Sequence, residues 1–199
     1  MKNLPKKALS LLQLIINSSI NLKHIPDTWK VAEIIMIPKT YRLISLLPII
    51  SKLFEILIQK RIQVYIKRIK VIPNSVDQIH RITDVIEKVY EKQEVCSTVF
   101  LDVAQAFDKV WHKGLIFKLN RFLPSSYVQL LSSYLTDRVF RVRVENEYSS
   151  LKDINAGVQQ GSILGPILYL LYTSDLPVIR NIKVATFADD TAFMATGRD

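Results

Sequence analysis

Glycine is scarce in this 199-residue chain, at five residues, and cysteine is nearly absent, at one. The single thiol, Cys96, excludes an internal disulfide framework and fits a reducing compartment, where it reads as a small core residue just before a strand. No apolar run reaches the roughly 18 residues that a membrane-spanning helix needs. The nearest stretch is ALSLLQLIINSSI after Lys2, Lys6 and Lys7, but Gln13 and Asn17 interrupt it and no small-residue cleavage site follows. Leu11, Leu12, Ile15, Ile16 and Ile20 fall near helical spacing, so the segment reads as an amphipathic helix rather than a signal peptide. Acidic residues are in deficit too: 18 stand against 27 lysines and arginines, for a formal net charge of +9. That balance favours a polyanionic partner, nucleic acid before a membrane surface. The 49% hydrophobic content supplies a sizeable core and excludes disorder.

The remaining pattern interleaves helices and strands, which points to an α+β fold in about one domain's length. WKVAEIIMIPK reads as a strand closing at Pro38, and Pro48 opens a long helix to about Lys70. Its predicted buried face is Leu53, Phe54, Leu57, Ile58, Ile62, Tyr65, Ile66 and Ile69. Lys60, Arg61, Lys67 and Arg68 lie on another face with only Glu55 nearby, either as a solvated surface or as a track for phosphates. Pro73 and Asn74 break the chain before a charged helix over Val76 to Glu94. Two helices follow around Leu115 to Leu123 and Tyr127 to Leu135. In VFRVRVEN, alternation predicts Phe140, Val142 and Val144 inward and Arg141, Arg143 and Glu145 outward. Gly157, Gly161 and Gly165 then crowd together, marking a place where backbone turns or comes close to something. An apolar helix from Ile167 to Leu176 precedes a final hairpin.

That hairpin carries FADD, Phe187 to Asp190, between two apolar runs. Asp-Asp is good turn chemistry by itself, since aspartate bonds its own backbone. Two adjacent carboxylates also repel unless a proton or cation intervenes. A second apolar strand, Thr98 to Leu101, runs into Asp102 within FLDVAQAFD, with Phe107 and Asp108 behind it. Three carboxylates at the ends of two strands would make a divalent-cation site. Asp102 and Asp189 are 87 positions apart, so only a fold that sets the two strands side by side can unite them. Paired divalent ions about 3.5–4 Å apart are a recurring solution for nucleotidyl transfer, and magnesium suits oxygen ligands and phosphates.

FLDVAQAFDKVWH, GVQQGSILGPILYLLYTSDL and FADDTA, in that order, resemble motifs A, B and C of a reverse transcriptase, most closely of the jockey-like non-LTR retrotransposon type. IPDTWKVAEIIMIPK and YRLISLLPIISKLFEILIQKRI resemble the fingers of that family, so the likeness covers nearly the whole chain. It implies a right-hand polymerase: a palm with an antiparallel sheet and packed helices over 95–199, partial fingers and N-terminal helices over 1–94, and no thumb sequence after Asp199. The implied activity is RNA-directed DNA polymerisation with two magnesium ions, manganese as a substitute, on an RNA template, a DNA primer and deoxynucleoside triphosphates. Asp102, Asp189 and Asp190 match the metal ligands and catalytic carboxylates. Phe107 matches the aromatic gate against the 2′-hydroxyl, although a core phenylalanine explains it equally. Gln160 and Gly161 match the motif B pair beside the nucleotide, and Arg42, with Lys39 as a weaker candidate, matches the triphosphate contact of the fingers or else a solvated charge. Asp108 matches a family position, or simply caps a helix starting near Lys109, and Ser162 reads as the cap of the helix after motif B.

The likeness has departures. Lys39 to Arg42 are contiguous where the family carries a loop, and Asn74 passes directly into SVDQIHRITDVIEKV where it carries a QFGFR-like stretch. Leu43 replaces a usual proline, Gln105 a common lysine, and Gln159 the proline of GVPQG, a change expected to loosen the motif B turn. A retroelement relic that keeps only basic nucleic-acid binding is therefore the competing function. Cytoplasm and nucleus are both open.

Overall fold

The computed structural model describes residues 5–37, 42–69, 75–177, 179–187 and 190–198, with side chains outside the description at 36, 37, 42–44, 75–77, 79 and 187. Helix α1 spans Lys6–Leu22 and ends at Lys23 in the left-handed conformation, whose N–H bonds back to Ile20. It buries Ile16, with Leu12 and Ile20 packed beside it, while Leu11 and Ile15 of the predicted face stay exposed. Strand β1 is Val31–Ile37 and β2 is Arg42–Leu46. Helix α2, Ile49–Ile69, follows Pro48 as expected and buries Phe54, Ile58, Ile62 and Ile66. Leu57 and Ile69 face solvent instead.

Helix α3 is Ser75–Lys92, and β3, Val95–Asp102, leaves it for the motif A aspartate. Helices α4, His112–Phe122, and α5, Ser125–Leu135, form the predicted pair. Strands β4, Arg138–Val144, β5, Glu147–Tyr148, and β6, Lys152–Ile154, come next, then α6, Gly165–Tyr172. The chain closes with β7, Ile182–Phe187, and β8, Asp190–Gly197. The last helix is shorter than predicted because Ser174 and Thr173 turn their hydroxyls onto carbonyls one turn back, an alternative to continuing the helix.

Two sheets result. One has the order β2-β1-β4-β5 with β6 also on β4, and within it β1 and β4 run parallel. The predicted alternation along β4 is not seen in its burial: Arg138 is buried, Val139 to Val142 are all half-buried, and Arg143 and Val144 are both exposed. Arg141, predicted outward, is half-buried and pairs with Glu33, its partner in the parallel register. The other sheet is antiparallel, β3-β8-β7. The main core joins α2, α4, α5 and α6, with Trp29 against Phe54 at 5.6 Å between ring centroids. Burying each such large side chain contributes about 1.5–3 kcal/mol. A smaller core sets Val85 of α3, flanked by Ile82 and Val89, on Ala185, Ala192 and Met194 of the antiparallel sheet, with Cys96 at its margin. Among the described residues no helix is long and apolar enough to cross a membrane.

Candidate active site

Regular antiparallel pairing of β3 with β8 brings Asp102 directly opposite Asp190. Residues so paired have side chains on the same face of the sheet, a few ångströms apart. The hairpin demanded by the sequence is present: β7 and β8 pair antiparallel, with Phe187 opposite Asp190. Asp189 itself lies outside the described residues. Asp102 and Asp190 are exposed, and neither joins a salt bridge among the described residues. Two unpaired carboxylates facing each other at a strand end form an acceptor-only set that suits a hard, oxygen-seeking cation. The described residues contain no cluster of three or more His, Cys, Asp or Glu able to hold a metal.

Beyond Asp102 the backbone makes a tight turn. Gln105 takes a positive φ of 58°, and its carbonyl accepts from the N–H groups of Asp108 at 3.0 Å and Lys109 at 3.2 Å. This delivers Phe107, half-buried, onto the ring of Tyr169 in α6, with centroids 4.8 Å apart and planes at 25°. Phe107 thus touches the core and lies near motif B at once. Asp108 does not cap a helix: α4 starts at His112 with no side-chain cap, and Asp108 stays exposed.

Motif B is stitched to this turn by backbone. Val158 N–H donates to the Phe107 carbonyl and Gly157 N–H to the Val110 carbonyl, both at 2.8 Å. Gly157 has φ +92°, and a Cβ there would lie 2.8 Å from the Asp108 carbonyl oxygen, so glycine serves both conformation and space. The Gly157 carbonyl in turn sits 2.7 Å from His112 Nε2. Gln160 is exposed at the following turn, and Gly161 needs its φ of +103°. The Gln160 carbonyl accepts from Ser45 N–H at 3.1 Å, which ties the turn to β2, the strand that begins at Arg42. The Arg42 side chain, and Lys39 altogether, lie outside the described residues. Ser162 Oγ accepts from the N–H of Gly165, the first residue of α6, at 2.7 Å, although Leu164 and not Ser162 stands at the N-cap position.

Two residues that the sequence reading misjudged sit beneath this turn. Glu55, taken as a surface acid among cations, is fully buried. One of its carboxylate oxygens accepts from Tyr134 Oη at 2.8 Å, and the other from the N–H groups of Ile163 at 2.6 Å and Leu164 at 3.4 Å. Burial foremost holds the Tyr134 proton on well above the usual phenol range, and its hydrogen bond to Glu55 acts in the same direction. Gln159, expected to loosen the turn, is buried, and Arg138 donates to its Oε1. Helical periodicity carried a signal for Glu55, which precedes Ile58, Ile62 and Ile66 by 3, 7 and 11 positions on the buried stripe.

Residues 25–199 match the reverse transcriptase (RNA-dependent DNA polymerase) family. The chain is 40% identical over 98% of its length to the probable RNA-directed DNA polymerase from transposon BS of Drosophila melanogaster. It is 38% identical, again over 98% of its length, to the RNA-directed DNA polymerase from mobile element jockey of the same fly. It spans 24% of the length of these curated relatives. The fold resembles Candida tropicalis telomerase with a TM-score of 0.63 at 12% identity, covering 94% of this chain and 40% of that one. Candida albicans telomerase gives 0.61 at 14% identity, over 96% and 43%. At that identity the likeness shows a shared right-hand polymerase fold.

Proposed function

The chain belongs to the reverse transcriptase (RNA-dependent DNA polymerase) family, and from that premise we propose that it is the polymerase portion of a jockey-like retrotransposon, extending a DNA primer on an RNA template. The direct pairing of Asp102 with Asp190 is the observation that carries this reading. In it, Asp102, Asp189 and Asp190 hold divalent ions, magnesium or manganese. Such ions, once held there, would lower the pKa of the primer 3′-hydroxyl and offset charge on the departing pyrophosphate. The protein's own part is positioning and exclusion. Phe107, braced on Tyr169, stands five residues beyond Asp102 and gates the sugar, admitting deoxynucleotides. Gln160 and Gly161 approach the base and sugar, where glycine lets the backbone come close and glutamine both donates and accepts. Arg42 binds the triphosphate from the strand whose backbone meets the Gln160 carbonyl. The antiparallel sheet with α4 to α6 is the palm, and β1 and β2 belong to the fingers. The net charge of +9 supports polynucleotide binding. The enzyme acts in the nucleus or cytoplasm.

The contiguous Lys39–Arg42 and Asn74–Ser75 junctions favour the relic as a second reading. Primer extension by the purified chain on an RNA template with magnesium or manganese separates the two. The polymerase extends and loses extension on Asp189→Ala, whereas the relic binds RNA or DNA in a salt-sensitive way without extending.

A further inference from the structure

We propose that Glu55 is the positioning residue of the motif B turn, holding Gln160 and Gly161 where the incoming nucleotide is bound; the nucleotide half of this rests on the polymerase reading above. Three stretches remote in sequence meet here: α2 with Glu55, the α5–β4 stretch with Tyr134 and Arg138, and residues 159–164. The carboxylate has two oxygens and uses them on two different structures. Oε1 takes the Tyr134 hydroxyl, which fixes the acid in the core, while Oε2 takes the two N–H groups that lead into α6. Those N–H groups immediately precede α6, and negative charge is favoured at a helix start. Gln160 and Gly161 therefore lie between the Ser45 bond on one side and the Glu55 anchor on the other.

A charge this deeply buried needs a counter-charge. Arg138 supplies it across one ring: its guanidinium stands 4.5 Å from the centroid of Tyr134, whose hydroxyl bonds Glu55. The same guanidinium donates to the Tyr134 carbonyl at 3.2 Å and to Gln159 Oε1, so it tethers the other end of the turn. Gln159 thus replaces a backbone constraint, the proline of related sequences, with a side-chain one. The assembly is costly to build merely for stability, because Arg138 Nε and Gln159 Nε2 are left without partners while buried. An apolar filling would avoid that cost.

Glu55→Gln keeps the shape but turns an amide N–H2 toward a hydroxyl or toward backbone donors. In hydrogen exchange of the full chain, amides of 163 and 164 should exchange about tenfold faster while β3 and β8 amides stay within about twofold. Where the chain extends primers, KM for the deoxynucleotide should rise about tenfold, with kcat and the Kd for a primer–template duplex nearly unchanged. Exchange that rises evenly everywhere, or not at all at 163 and 164, overturns the assignment, as does local loosening with an unchanged KM. If wild type never extends yet the local exchange change appears, Glu55 still holds the turn and the polymerase reading alone fails. Should Glu55→Gln not fold, Tyr134→Phe decides by the same readouts with a smaller, about threefold, local change.

Discussion

At the hairpin end, Asp102 and Asp190 stand opposite each other with like charge, exposed, and outside any salt bridge among the described residues. Around the Gln160 turn, charges of opposite sign are drawn into the core, separated by one tyrosine ring and spent on backbone groups. The first region is electrostatically unsatisfied without a ligand, so its residues contribute little to the fold. The second is satisfied in large part by the protein itself, with Arg138 Nε and Gln159 Nε2 left unpartnered, so its residues contribute to fold and geometry together. Under the proposed function, chemistry and positioning are thus kept on different elements, joined by the backbone bonds of Gly157 and Val158 to the turn after Asp102.

Substitutions can break that contrast at either end. The largest effect is expected from Asp102→Asn, which should lower primer extension at least about 100-fold. It should leave the thermal midpoint unchanged or raise it slightly, because like charges directly opposite on a sheet are destabilising; a clear fall in midpoint would contradict the comparison. Gly157→Ala tests the join between the two regions. The added methyl group meets the Asp108 backbone and the position requires a positive φ, so urea unfolding should show a loss of about 1–3 kcal/mol. The smallest effect belongs to Tyr134→Phe, about 1 kcal/mol at neutral pH. Its folded-state pKa is raised, chiefly by burial. The neutral phenol therefore favours the fold fully below the unfolded value of about 10, and that contribution drains away as pH rises further. Wild type should weaken above about pH 10, and the Phe variant should show a flatter alkaline profile in a chemical-denaturation series.

Much of this was legible in the chain. The strand after Trp29, the helix after Pro48, the helix pair and the final hairpin all carry local signals, namely proline punctuation and periodic apolar residues. Where an element was misread, the deciding force was not local. Val144 was expected inward, but it lies past the end of the parallel pairing with β1 and is exposed. Asp108 has the chemistry of a cap, yet the backbone turn set by Gln105 delays α4 to His112. Gln159 looked like a lost constraint because its partner, Arg138, is 21 positions away. Tyr169 gave no sign that it would brace Phe107, since stacking between remote rings leaves no spacing to read.

By itself the sequence determined the kind of protein this is, because motif order, carboxylate identity and helical or strand period are written in neighbouring residues. It also pointed to Asp102 at the end of a strand. Only the tertiary structure decided that β3 pairs with β8 in the register that sets Asp102 opposite Asp190. Only it turned Glu55 from a surface acid into a buried anchor. The reason is the same in both cases: register and burial are set by the packing of segments far apart in the chain, and a hydrogen bond to backbone N–H leaves no mark on the identity of the residue that donates it.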